Sequence, residues 1–269
     1  MEDYNSITFS ILIPTFKRIK FLERAIKSAI IQKSLISEII VIDDEPSFNA
    51  EKLINELSKK FNYTKIIYTK NHSLGGKGPY CAKNYAIISK GYAKGKYLAF
   101  LDDDDFWDEN YLENVSKYII ENNSNICLSN YIDYINEENF FDGKKNPPAV
   151  FNLNDLLIFN PGVLQSNFVI KNDLFLKLGG FDENIEMSCD KDLFLRAMLN
   201  GGRYSKIIEK NVFYQIHENN WSKNDLDAIR IKLLFYKKHF KKYNILNHLK
   251  FWKYLLSFLI RFIKKRFFN

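Results

Sequence analysis

The residues with the most chemistry to offer are four adjacent aspartates, Asp102, Asp103, Asp104 and Asp105, directly after the apolar run 97–101. Neighbouring carboxylates repel one another and need a cation, protonation or full solvation to be tolerated. Mg²⁺ or Mn²⁺ takes one or two carboxylates and completes its shell with substrate oxygens and water, so an ion shared with a phosphate ligand is one reading. A solvated acidic loop leading into a helix near Glu109 is the other. Asp43 and Asp44 follow a second apolar run, 39–42. A carboxylate there can accept from a base N–H or a ribose hydroxyl, and Asp-Glu-Pro is equally good turn chemistry. Pro14, Thr15 and Phe16 end a third run, either as a wall for a stacked base or as a strand terminator. The glycines of Gly75-Gly76-Lys77-Gly78-Pro79 would let backbone approach phosphates. Their spacing is not the dinucleotide fingerprint, and a flexible surface loop accounts for them too. Asp190 precedes an apolar helical stretch carrying Asp192 and Arg196, where an N-cap needs no chemistry. His217, closing a strand-like run, is either a metal ligand or a satisfied polar residue.

The elements that must position these groups alternate through the first hundred residues. Strand-like runs at 8–13, 39–42, 65–68 and 97–101 are separated by helical periodicity at 21–32, 48–61 and 80–92. Such alternation implies a parallel sheet covered on both faces, with ligands beyond the carboxyl ends of its strands. The second half is less regular. It offers a helix at 109–121, a strand at 126–134, a polar stretch at 136–148 and short elements at 168–170 and 172–178. A helix at 190–199 and a strand at 212–216 follow. From Asp225 the chain reads as two helices with a break near Tyr243 and Asn244.

Composition bounds the function classes. The 269 residues, 46% apolar and 26% charged, suit one catalytic domain with an appendage rather than a disordered chain. Cys81, Cys127 and Cys189 are widely spaced, which suits reduced thiols in a cytosolic compartment and no zinc or redox motif. The first apolar run is too short for a signal sequence, and no uninterrupted run approaches the roughly 18 apolar residues of a membrane span. The net charge of +7 is unevenly spread: residues 228–269 hold twelve Lys and Arg and no acidic residue, which leaves 27 of the 39 basic residues against all 32 acidic ones in the body.

Taken in order, several segments resemble the family 2 glycosyltransferases: Ser10-Ile11-Leu12-Ile13-Pro14-Thr15-Phe16-Lys17-Arg18, Ile40-Val41-Ile42-Asp43-Asp44, Ala82-Lys83-Asn84 and Phe100-Leu101-Asp102-Asp103-Asp104-Asp105. Gly179-Gly180-Phe181-Asp182-Glu183, Asp190-Lys191-Asp192-Leu193 with Arg196, and Tyr214-Gln215-Ile216-His217 continue the likeness, which spans about residues 10–217. Two positions depart from the family's habit: Cys189 where Glu is usual before the base, and Lys83 where many relatives carry Arg. The resemblance implies an α/β chain with a single Rossmann-like, glycosyltransferase A-type domain, a mixed central sheet and a C-terminal basic helical appendage. It divides the chain into a catalytic domain at 1–224, with a nucleotide-sugar-binding half at 1–105 and an acceptor-binding half at 106–224, and helices at 225–269.

It further implies an inverting transfer from a nucleotide-diphosphate sugar, with a divalent metal (Mn²⁺ or Mg²⁺) as cofactor. The donor would be held by Pro14, Thr15, Phe16, Arg18, Asp43, Asp44, Lys83, Asn84, Asp102 and Asp103. Asp104 and His217 would serve the metal and the donor phosphates, and Asp190 would be the general base. Gln165, Ser166 and Asn167 match the acceptor side loosely. The competing enzyme class, a sugar nucleotidyltransferase, needs a glycine-rich phosphate loop after its first strand, where this chain reads Pro14-Thr15-Phe16-Lys17-Arg18. A non-catalytic subunit of the same fold is expected to have lost Asp104 or Asp190, and both are present.

In the tail, Lys250, Lys253, Ser257, Arg261 and Lys264 fall at steps of three and four beside a wide apolar face. That pattern suits either an anionic membrane surface or a helix packed on the catalytic domain with its cations in water. Membrane attachment fits a lipid-linked acceptor and a peripheral site on the inner face of the cell membrane. A nucleic-acid partner is not expected, because the body is acidic and no binding module is present.

Overall fold

Every residue of β1 (Phe9–Thr15) is buried. Phe9, Ile11 and Ile13 join one hydrophobic core and Leu12 another, as the two-residue period of a strand requires. A strand apolar on both faces must lie between two layers, and the computed structural model shows those layers. It describes residues 7–45, 48–73, 76, 78–136, 138–142, 146–185, 188–217 and 225–267. Gly75 and Lys77 of the glycine-rich segment, and the expected domain boundary at 224, lie outside the described residues.

The strands are β2 (Ile36–Asp43), β3 (Ile66–Lys70), β4 (Tyr97–Phe100), β5 (Phe106–Trp107), β6 (Ile126–Asn136), β7 (Asn139–Asp142), β8 (Phe168–Lys171) and β9 (Tyr204–Gln215). With β1 they form one sheet in the order β3-β2-β1-β4-β8-β6-β9-β5, and β7 pairs with β6. β3, β2, β1 and β4 are parallel, as the alternating first half predicts. β8 runs antiparallel to both β4 and β6, so the sheet is mixed.

One layer contains α1 (Ile19–Ile30), whose Leu22, Ala25, Ile26 and Ala29 face the sheet at helical spacing. α2 (Phe48–Lys60) joins it through Ala50, Ile54 and Leu57, and α4 (Tyr111–Asn122) through Tyr111, Leu112, Val115 and Ile119. The opposite layer holds α3 (Pro79–Asn84), α5 (Leu153–Ile158), α6 (Asn172–Lys177) and α7 (Cys189–Leu199).

Several elements depart from the sequence pattern. The helix expected over 80–92 leaves α geometry at Asn84 and continues as a π turn, Tyr85–Ser89. β9 starts at Tyr204 rather than near 212: Lys206, Glu209 and Lys210 interrupt its apolar pattern, and the strand pairs with β6 over Tyr204–Ile207 and again over Val212–Gln215, with a register shift between the two stretches. β5, β7 and α5 are two to six residues long, too short to show a period. The C-terminal segment forms α8 (Asp225–His239) and α9 (Ile245–Phe267), with a 3₁₀ turn at Phe240–Lys242 before the expected break. Phe235, Tyr243, Phe251 and Leu255 enter the same core as Leu156, Leu157 and Phe194, so one side of this appendage packs on the body.

Candidate active site

The parallel register brings three chain turns to one edge: Thr15 lies beside Asp43, and Leu12 beside Phe100. Beyond that edge is a cleft of about 500 Å³, lined by Pro14, Thr15, Phe16, Arg18, Asp44, Tyr80, Asp102 to Asp105, Gln165, Asp190 and Tyr214. The aspartates after β2 and β4 and the one opening α7 therefore share a single cavity.

The four strand-end aspartates divide their work. Asp103 accepts from Thr15 Oγ1 at 2.7 Å and from Arg18 Nη1 at 3.2 Å. Burial pushes its carboxyl up to about 7 against the pull of Arg18, and the neighbouring Asp104 adds to the rise. Asp104 is bonded by Arg18 Nη1 and sits 2.9 Å from His217 Nε2. Burial opposes the charge on Arg18, yet Asp103, Asp104 and Asp102 together hold its pKa above the ordinary value. Asp102 takes Lys83 Nζ at 3.1 Å. Asp105 turns inward, accepting from Ser166 Oγ at 2.5 Å and the Gln215 backbone N–H at 2.8 Å. Burial raises its pKa far above the usual carboxylate range. Asp105 thus ties β4, the turn before β8 and the end of β9 together.

Asp190 stands in the first turn of α7, where the helix dipole favours a carboxylate. Its Oδ1 accepts the Lys191 backbone N–H at 2.7 Å. Burial nonetheless pushes it up to about 7, with Asp102 adding to the rise and Lys83 and Lys191 opposing it. That value suits a general base near neutral pH.

Asp44 accepts from Gly78 N–H at 2.8 Å and Asn71 Nδ2 at 2.5 Å, which joins the cleft wall to the start of α3. Asp43 lies outside the cleft lining and accepts from Tyr68 Oη at 3.0 Å. Lys83 is fully buried and reaches the cleft through Asp102 and Gln165. Asn84 also serves the wall: it donates to the Phe181 carbonyl and to Glu183, both at 2.8 Å, and accepts from the Phe181 N–H at 2.9 Å. Gly180, at φ +75°, permits that contact, because a Cβ there would strike Asn84 Oδ1 and Ile88.

Sequence reasoning missed Arg24. Its Nη2 donates to the Asp104 carbonyl at 2.7 Å and to Gln215 Oε1 at 2.8 Å, and its guanidinium lies 4.4 Å from the Phe106 ring centroid. On α1 it reads as a surface charge, and only the pairing of β5 with β9 brings those partners to it.

Among the described residues no group of three or more His, Cys, Asp or Glu is placed to hold a metal alone. Asp104 and His217 supply one carboxylate and one imidazole on a shared contact. That donor set fits Mn²⁺ or Mg²⁺ bound jointly with phosphate oxygens, since such ions keep few protein ligands.

The chain is similar to several known proteins in sequence and in fold. The family model described as glycosyl transferase family 2 matches residues 10–179. An Escherichia coli protein, UDP-Glc:alpha-D-GlcNAc-diphosphoundecaprenol beta-1,3-glucosyltransferase WfgD, is 32% identical over 58% of this chain and 56% of its own length. The chain thus spans little more than half of that relative. The crystal structure of Staphylococcus aureus TarS 1-349 in complex with UDP-GlcNAc aligns with a TM-score of 0.64 at 20% identity, over 85% of this chain and 65% of that one. The mannosyltransferase PcManGT from Pyrobaculum calidifontis, in complex with GDP-Man and Mn²⁺, aligns with a TM-score of 0.66 at 13% identity, over 94% and 74%. The glycosyltransferase A-type fold implied by the sequence is therefore the fold of this chain.

Proposed function

The chain belongs to glycosyl transferase family 2, and from that premise we propose that it transfers a sugar from a nucleotide-diphosphate sugar, a UDP-sugar by preference, to an acceptor hydroxyl with inversion. The observation that carries this reading is the single cleft shared by Asp44, Asp102 to Asp104 and Asp190. In the transfer, Asp190 takes the proton from the acceptor hydroxyl as its oxygen bonds to the anomeric carbon. The bond from that carbon to the diphosphate oxygen breaks, and the nucleoside diphosphate departs with the electron pair. A carboxylate poised near neutral pH is matched to such a proton transfer.

Asp104 and His217 would hold the divalent metal, which supplies charge neutralisation for the leaving diphosphate. Arg18, already bridging Asp103 and Asp104, adds a second positive charge beside that group. Asp44, with Pro14 and Phe16, borders the space for the nucleoside. PcManGT with GDP-Man and Mn²⁺ supports the metal, and WfgD supports a UDP-sugar and a lipid-linked acceptor. The diphosphoundecaprenol-linked substrate in the name of WfgD supports the further part of this proposal, a role in bacterial surface polysaccharide assembly.

We place the protein on the inner face of the cell membrane as a peripheral, cytoplasmic enzyme. No helix among the described residues is long and apolar enough to cross a membrane. The outward side of α9 supports surface attachment instead. Ile245, Leu249, Trp252, Leu256, Ile260 and Ile263 are exposed at steps of three and four, beside exposed Lys250, Lys253 and Lys264. An apolar stripe flanked by cations matches an anionic bilayer surface.

The deciding experiment titrates wild type and Asp104→Ala with UDP-glucose, UDP-GlcNAc and GDP-mannose, with and without Mn²⁺, by calorimetry. Wild type is expected to bind at least one donor in a Mn²⁺-dependent way, and Asp104→Ala to lose that dependence. Equal affinity in the two proteins with Mn²⁺ present would remove Asp104 from the metal site.

A further inference from the structure

Gln165 begins the 3₁₀ turn Gln165–Asn167, which leads into β8 and forms part of the cleft wall. The other two polar side chains of that turn are committed. Ser166 Oγ donates to Asp105 at 2.5 Å and accepts the Asp102 N–H at 3.0 Å. Asn167 Nδ2 donates to the Ser129 and Gly162 carbonyls at 2.8 and 3.0 Å. Gln165 is only half used. Its Oε1 accepts from Lys83 Nζ at 2.7 Å. An ammonium is a donor only, so this contact fixes which end of the amide is oxygen. The other end of the amide, Nε2, has no hydrogen-bond partner among the described residues. Gln165 is 5% exposed, so bulk water does not compensate. A buried donor left in this condition carries an uncompensated desolvation cost, and an oxygen brought by a ligand removes it.

The position selects the ligand. Through Lys83, Gln165 is joined to Asp102, and both Lys83 and Asp102 act electrostatically on Asp190. An anomeric carbon attacked beside Asp190 while its leaving diphosphate rests near Asp103 and Asp104 puts the attached ring in this part of the cleft. We propose that Gln165 is a specificity-determining residue for the transferred sugar, its Nε2 donating to a ring hydroxyl or acetamido oxygen of the nucleotide-linked sugar. This rests on the donor reading above. A site built to hydrogen-bond a substrate group rejects analogues that lack it, because its own polar group is left unpaired.

The test is a cycle between protein and ligand, read by calorimetry with Mn²⁺. Wild type and Gln165→Met are titrated with UDP, with whichever of UDP-glucose and UDP-GlcNAc binds wild type more tightly, and with that donor's single-deoxy analogues. Wild type is expected to bind one analogue at least tenfold more weakly than the parent. Gln165→Met is expected to lose at least tenfold for the parent, to keep UDP within twofold, and no longer to distinguish that analogue. Wild type that treats all analogues alike overturns the assignment, whatever the variant does. So does a Gln165→Met protein that still rejects the same analogue by the same factor, or one whose loss is equal for UDP and the parent. If no nucleotide sugar binds wild type, the donor reading itself falls and takes this assignment with it.

Discussion

Asp190 and Asp192 lie two residues apart on α7, are 7% and 0% exposed, and behave in opposite ways. Burial pushes Asp190 up to about 7 because little around it compensates the charge. Burial acts on Asp192 in the same direction, but hydrogen bonds from His239 and Lys238 and the charge of Arg196 outweigh it and hold the carboxyl down to about 2. Arg196 Nε and Lys238 Nζ each lie 2.7 Å from Asp192, and His239 Nε2 lies at 2.8 Å. Arg196 also donates to the Leu178 and Gly180 carbonyls, which ties α7 to the Gly-Gly-Phe-Asp-Glu turn. One carboxylate faces a cavity and is left able to take a proton. Its neighbour locks α8 and that turn onto the helix. The contrast teaches that burial alone does not mark a catalytic acid; the number of fixed donors around it does.

The sharpest way to break this contrast is to remove each carboxylate. Asp190→Asn is expected to lower kcat by about 10²–10⁴-fold, the usual worth of a general base, with Mn²⁺-dependent donor affinity kept within twofold. Near-normal turnover in the purified variant would take the base role from Asp190. Asp192→Ala is expected to lose about 3–5 kcal/mol of unfolding free energy in urea, because His239, Lys238 and Arg196 are left around an empty place. A loss under 1 kcal/mol would mean that those groups find water or other partners readily.

Titration sharpens the comparison further. Between about pH 4 and 7 the folded Asp190 keeps a proton that the unfolded chain has released, so its contribution makes the protein less stable as pH rises through that window. Asp192 has the opposite sign: its folded pKa lies below the unfolded value, so its stabilisation is present above about pH 4 and is lost as pH falls through about 2. Urea midpoints against pH should therefore lose their decline between pH 4 and 7 in part in Asp190→Asn and keep it in Asp192→Asn. In the same window kcat/KM of wild type should rise toward a half-maximal value near pH 7, as an unprotonated base requires. A profile flat from pH 5 to 8 would contradict that.

The smallest expected effect is on the outward side of α9. Leu249→Glu with Leu256→Glu should leave unfolding free energy within about 0.5 kcal/mol, as surface changes usually do. The same pair should abolish flotation with anionic liposomes. Unchanged flotation would leave α9 as a packing helix only.

Much of this was legible in the chain itself. The apolar runs ending at Ile13, Ile42 and Leu101, the first followed by Pro14 and the others by aspartates, specified parallel strands and the edge at which ligands gather. The steps of three and four among Lys250, Lys253, Ser257, Arg261 and Lys264 specified the polar stripe of α9. Other features were not legible. Asp43 and Asp44 look equivalent in sequence, yet strand alternation turns Asp43 toward Tyr68 and leaves Asp44 on the cleft. Nothing local separates Asp105 from Asp104, because the difference is made by Ser166 and Gln215, 61 and 110 residues away along the chain.

By itself, then, the sequence determined periodicity, strand ends and the types of acid available, because those depend on residues a few positions apart. Tertiary structure decided which acid is paired and which is left free to titrate. It also decided which face of α9 is covered, by packing Phe251 and Leu255 against α5 and α8 and leaving Leu249 and Leu256 outside. The reason is physical: desolvation and the count of nearby donors depend on groups brought together from distant parts of the chain, and no local pattern encodes them.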